Sequence, residues 1–190
     1  MIIGLTGSNC SGKDTIAEYI VKEHEYKHCS LSDVIREIMK EENIETTREN
    51  LIAFGTKLRE KNGYGFLARK ALEKIELNNS KYCITSIRHP DEVKELKKRK
   101  DFVLINVDSP MNIRFERMQR RNRQGDPQIF EKFIELEEKE YRNKGAGQQL
   151  KETMKMADIT FINDSNDMKT LEVKIDELLK NIEDKYMIKE

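Results

Sequence analysis

The chain has 190 residues, and Lys plus Arg equals Asp plus Glu at 35 each, for a formal net charge of zero. That length fits one domain with a substantial core, and the balanced charge excludes a bulk electrostatic grip on nucleic acid or on an anionic membrane surface. Charged residues make up 37% of the chain at a mean hydropathy of −0.77, so runs such as EVKELKKRK and ELEEKEYRNK are expected to be solvated helix faces.

Residues 2–6 form a short apolar run that predicts a strand. It leads into G-x-x-x-x-G-K as Gly7, Ser8, Asn9, Cys10, Ser11, Gly12 and Lys13, the spacing of a phosphate-binding P-loop. A loop that wraps a di- or triphosphate must turn backbone N–H groups inward, which Gly7 and Gly12 permit because they lack a Cβ. A helix beginning at Lys13 or Asp14 would face its unpaired N–H groups and positive dipole end towards the phosphates. The position after Lys13 departs from the pattern: Asp14 stands where a Ser or Thr would offer Mg²⁺ a hydroxyl, and Thr15 follows. Both Asp14 and Thr15 are therefore candidate metal ligands, directly or through water, the alternative for Asp14 being a charge at the helix N-terminus turned away from the phosphates.

Beyond the first helix, which runs to about residue 23, a weak strand is predicted over 26–31. Ser32-Asp33 is the expected N-cap of a helix over 34–41. Helices over 47–61 and 65–77 follow, joined at Asn62-Gly63. A buried strand over 82–87 stops at Arg88-His89-Pro90, then comes a polar helix over 91–100 and the clearest strand, 102–107. Asp108-Ser109-Pro110 opens a helix over 112–122. A Gln-Gly-Asp-Pro break at 124–127 separates it from a helix over 128–142, and 143–147 is a second break. The last strand spans 159–163 and the last helix 168–184. Strands alternating with helices in this way predict an α/β fold with a five-stranded parallel sheet and helices on both faces.

Ligands of such sheets collect beyond the carboxyl ends of the strands. The residues there are Asp33 with Arg36, Ser86 with Arg88, Asp108 with the arginines after it, and Asn163-Asp164. Guanidinium groups match phosphate oxygens in pairs of hydrogen bonds, so arginines facing the P-loop could hold a second phosphate in line with the first. Arg114, Arg117 and Arg121 share one helix stripe just before a Gly-Asp-Pro break, as an arginine-bearing lid would. The plainer alternative for that stripe is a solvated basic face paired with nearby glutamates. The three histidines, His24, His28 and His89, suggest no nucleophilic triad, and Phe54, Tyr64 and Phe66 are expected mainly in a core, with one available to stack on a base. Cys10, Cys29 and Cys83 are odd in number and lack metal-ligand spacing, which points to a reducing compartment. The first apolar run is too short and lacks the basic start of a signal peptide, so a cytoplasmic location is expected.

IGLTGSNCSGKDT, LSDVIRE, ITSIRHPDEV, INVDSPMNIRFERMQRRNR and MADITFINDS together resemble a P-loop kinase of the nucleoside monophosphate kinase group. The resemblance is closest to deoxynucleoside monophosphate kinase-like proteins, through the GKDT variant and the G-T-x-x-R segment of Gly55, Thr56 and Arg59. Dephospho-CoA kinases look similar at both ends, through IGLTG and the A-D-x-x-x-x-N of Ala157, Asp158 and Asn163. The resemblance implies a P-loop NTPase fold over residues 1–190, with an acceptor-side helical region at about 33–80 and a lid at about 114–146. It implies MgATP as donor and a small phosphorylated acceptor. It places Arg36 and Arg88 on the acceptor phosphate, Asp33 near the acceptor or the Mg²⁺-bound water, Arg117 and Arg121 on the donor phosphates, and Asn163 beside the adenine; Arg59 is read as a third hold on the acceptor. Lys13, Asp33, Arg88, Arg117 and Arg121 are then the catalytic set. One departure matters: family members commonly end the third strand in a pattern such as I-S-D-V-R, and this chain has Thr85-Ser86-Ile87-Arg88. Asp14 or Asp33 would have to take over the role of the missing carboxylate, or the protein is a nucleotide-dependent switch that hydrolyses slowly. A kinase of nucleic-acid ends is disfavoured by the zero net charge, and no membrane partner is expected. Monomer and homodimer both remain open.

Overall fold

The computed structural model describes residues 1–75, 80–123, 126–141 and 145–187. The expected helix end at 77, the first half of the break at 124–127 and the start of the break at 143–147 lie outside those residues. Five strands, β1 (Ile2–Thr6), β2 (Lys27–Ser30), β3 (Tyr82–Thr85), β4 (Phe102–Asp108) and β5 (Ile159–Ile162), form one sheet in the order β2-β3-β1-β4-β5. Every neighbouring pair is parallel. β1 lies between β3 and β4, and all of its residues are buried. A central strand covered on both faces has no use for polar alternation, so its first four residues carry no polar side chain.

The two-residue period of β1 sends Ile2 to one core and Ile3 and Leu5 to the other. On the first face pack α2 (Leu31–Glu41), α3 (Arg48–Asn62), α4 (Phe66–Lys74) and α5 (Pro90–Leu96), through Val34, Phe54, Leu67 and Leu96 among others. On the second face pack α1 (Lys13–Glu23) and α9 (Met168–Met187), through Ile16, Ile20, Leu171 and Ile175. Between β4 and β5 the chain forms α6 (Met111–Arg121), α7 (Phe130–Tyr141) and α8 (Leu150–Lys155). The buried pair Arg114–Glu137 and the rings of Phe115, Phe130 and Phe133 tie α6 to α7.

Three local expectations change. β2 ends at Ser30, and α2 starts at Leu31 with Ser30 as its N-cap in place of Ser32-Asp33, because the Ser30 hydroxyl accepts from the Ser32 N–H at 3.2 Å. α5 ends at Leu96, four residues early, and starts from a capping box in which His89 accepts from the Asp91 N–H and Glu92 reaches back to the His89 N–H. α8 was not expected at all. Its six residues are too few to display a helical period.

Candidate active site

The loop after β1 turns at two glycines. Gly7 has φ 139° and a Cβ there would lie 2.1 Å from the Val107 carbonyl oxygen, while Gly12 has φ 97° and a Cβ would lie 2.2 Å from Asn163 Nδ2. Neither position can carry a side chain without moving its neighbours. Lys13 Nζ donates to the Ser8 carbonyl at 2.6 Å and to Ser11 Oγ at 3.4 Å. The Ser11 carbonyl accepts from Asn163 Nδ2 at 2.9 Å and from Arg117 Nη1 at 3.3 Å, and the Cys10 carbonyl accepts from Arg117 Nη1 at 3.4 Å. A trans peptide points its C=O and its N–H in opposite directions, so the Gly12 N–H points away from Asn163 and Arg117. With the N–H groups at the start of α1, it forms a surface for an anion.

Two hollows meet at this loop. The smaller, about 280 Å³, is lined by Lys13, Asp14, Thr15, Arg117, Asn163 and the segment 165–168. The larger, about 410 Å³, is lined by arginines 36, 48, 59, 88, 121 and 123, with an aliphatic wall that includes Ile35, Leu51 and Leu67. Cys10, Lys13, Asp14 and Arg121 line both. Asn9 lines the larger hollow, and Ser8 is buried with its hydroxyl 2.9 Å from the Tyr141 hydroxyl.

The arginines differ in what holds them. Arg88, just past β3, donates from Nη1 to Gln148 at 2.9 Å. Arg59 is 3% exposed, and its Nε and Nη2 both donate to Glu92 Oε1. The other oxygen of Glu92 accepts from the Arg88 and His89 N–H groups, so this ion pair shapes the turn that presents Arg88. Arg36 lines the larger hollow with Nη1 on Asp33 at 2.7 Å. Asp33 itself is exposed and lines neither hollow, unlike the position the resemblance implied for it. Arg121 grips Asp126 with a forked contact through Nε and Nη2 at 2.9–3.1 Å. Arg114 is buried against Glu137 and the Ser109 carbonyl, so the stripe of three arginines serves three separate ends.

Arg117 is the largest departure from a lid arginine aimed at phosphates. Its Nε donates to Asn166 Oδ1, its Nη2 to Asn163 Oδ1 and the Ser165 carbonyl, and its Nη1 to Ser109 Oγ and the loop carbonyls. Burial lowers its pKa from the ordinary guanidinium value. Burial also raises the Cys10 thiol, against the pull of Arg121 and Lys13. Phe54 and Phe66 pack in or against the first core and Tyr64 tilts over His89, so none of the three lines the larger hollow.

The sequence reading missed Gln148, Glu92, Tyr141 and Asn166. A lone polar residue after a break carries no periodic signal, although the three-residue spacing of His89 and Glu92 is that of a capping box. Among the described residues no cluster of three His, Cys, Asp or Glu could hold a metal. The Asp14 carboxylate and Thr15 hydroxyl are hard oxygen donors beside a phosphate-type loop, which suits Mg²⁺, an ion that takes most of its ligands from phosphate and water.

Residues 3–143 match the AAA domain family. The chain is 37% identical over 167 residues to a UPF0200/UPF0201 protein of Archaeoglobus fulgidus, covering 85% of this chain and 50% of that one, so it spans half the length of that relative. A UPF0200 protein of Thermococcus onnurineus is 35% identical over 173 residues, covering 86% of this chain and 89% of its own. In fold, the chain is similar to shikimate kinase from Bacteroides thetaiotaomicron (TM-score 0.63, 16% identity, 96% and 98% covered) and to TT1252 from Thermus thermophilus (TM-score 0.61, 20% identity, 97% of each). The fold is that of P-loop NTPase kinases, the chain belongs to the UPF0200 family, and residues 3–143 belong to the AAA domain family.

Proposed function

We propose that this member of the UPF0200 family is a phosphotransferase that moves the γ-phosphoryl group of MgATP to a small phosphorylated acceptor, with a (deoxy)nucleoside monophosphate as first candidate and dephospho-CoA as its rival. The observation that carries the reading is the shared wall: Cys10, Lys13, Asp14 and Arg121 border both hollows. A polyphosphate lying on the loop would therefore end where the arginine-lined hollow begins.

In this reading the loop amides and the start of α1 bind the donor's phosphate oxygens. Lys13 exchanges its loop oxygens for a phosphoryl oxygen, and Arg36 and Arg88 orient the acceptor phosphate in line. Arg121, steadied by Asp126, supplies positive charge at the junction. Arg59 acts one step back by holding Glu92 and so the turn at Arg88. Asp14 and Thr15 would hold Mg²⁺, which supplies charge neutralisation on the phosphates. No covalent enzyme intermediate is required, because positioning and electrostatics account for most of the rate in such transfers.

A second reading is a nucleotide-dependent switch with slow hydrolysis. It is favoured by Ser86, an uncharged residue lining the larger hollow at the position where a carboxylate is common. It predicts nucleotide binding without turnover stimulated by any acceptor. A coupled ADP-release assay across nucleoside monophosphates and dephospho-CoA separates the readings. One acceptor should raise ADP release, and Lys13→Ala should lower that rate by about 10²–10³-fold with the fold intact. Unchanged turnover in the variant would contradict the assignment.

A further inference from the structure

A phosphate loop works only if its amides face the ligand, and that requires its carbonyls to face elsewhere and find donors there. Asn163, 3% exposed at the end of β5, donates from Nδ2 to the Ser11 carbonyl and accepts from Arg117 Nη2 at Oδ1. Both polar atoms of the amide are thus committed within the protein. Arg117 likewise has all three nitrogens engaged, by Asn166, Ser109, the segment 163–165 and the carbonyls of Cys10 and Ser11. Its partners are neutral oxygens, and no carboxylate lies within ion-pair distance of it among the described residues. The contact is close as well as polar, since Gly12 could not carry a Cβ without striking Asn163 Nδ2.

We infer that Asn163 and Arg117 are positioning residues of the phosphate loop, acting on the nucleotide through the carbonyls of Ser11 and Cys10, not by reading the base or by donating to the phosphates. This rests on the reading of the loop as a nucleotide site. It makes a prediction that base recognition does not: loss of either residue should weaken every polyphosphate equally, whether or not a base is attached. If Asn163 read adenine, only the nucleotide would notice its removal.

The test is titration calorimetry of wild type, Asn163→Ala and Arg117→Lys with two probes, ATP and inorganic tripolyphosphate, beside the thermal midpoint of each unliganded protein. Neither substitution changes the net charge, and both polar atoms of the Asn163 amide are held within the protein, so an equal loss for the two probes in Asn163→Ala reports loop geometry. The expected result is a weakening of about tenfold for both probes, with the ratio of the two affinities unchanged from wild type. A loss confined to ATP, or no loss with either probe, would overturn the inference while leaving the nucleotide-site reading intact. Should Asn163→Ala fail to fold, the ratio measured with Asn163→Ser decides, since a direct phosphate contact by Arg117 would also weaken both probes equally. A wild-type protein that binds neither probe would instead remove the nucleotide-site reading itself, and the inference with it.

Discussion

Glu92 shows how much of the site depends on a residue that touches no substrate in the proposed reaction. It is fully buried, takes two donors from Arg59 on one oxygen and holds the Arg88 and His89 N–H groups on the other. A buried carboxylate is tolerable only while its charge is matched. Arg59→Ala should therefore cost about 3–5 kcal/mol of stability in urea denaturation, and a loss under about 1 kcal/mol would mean the pair is not the anchor described. The sequence disclosed arginines at the right strand ends but not their partners. Arg59 looked like a phosphate ligand and Asp33 like a catalytic carboxylate, because identity and spacing do not reveal which oxygen a guanidinium meets. Lys13, Gly7 and Gly12 were legible, since the loop's geometry restricts which residues can occupy it.

At the level of elements, legibility followed position in the sheet. β1 and β4 are interior strands that open on buried apolar runs, residues 2–5 and 102–105, whereas β2 lies at an edge with two exposed residues, and its boundary with α2 was misplaced. The cap decides that boundary. Ser30 closes the start of α2 on the Ser32 N–H and also donates to Ser86 Oγ at 3.1 Å, joining α2 to the end of β3. Ser30→Ala should lower stability by about 1 kcal/mol, read as a shift in the urea midpoint at constant slope. An unshifted midpoint would show that the helix start is held by packing of Leu31 alone. The sequence could not foresee α8, which is short, or that α7 would reach the loop through Tyr141 and Ser8.

Across the whole molecule, the order β2-β3-β1-β4-β5 gathers four chain crossings at one edge: the loop after β1, Arg88 after β3, Ser109 after β4 and Asn163 after β5. The connection after β1 leads to one side of the sheet and the one after β3 to the other, which opens the crevice there. That arrangement was readable from the alternation of strands and helices, because parallel pairing forces crossovers and crossovers leave the strand ends open. What the alternation could not supply is the division of the crevice into two hollows sharing Lys13, Asp14 and Arg121. In the proposed reaction the two hollows would each hold one of the two molecules between which the phosphoryl group passes. The most direct measurement follows the label of γ-³²P-ATP in the presence of each acceptor in turn. Recovery of the label in an organic phosphate product, abolished in Lys13→Ala, is the predicted result; recovery only as inorganic phosphate, at a rate indifferent to every acceptor, would contradict it.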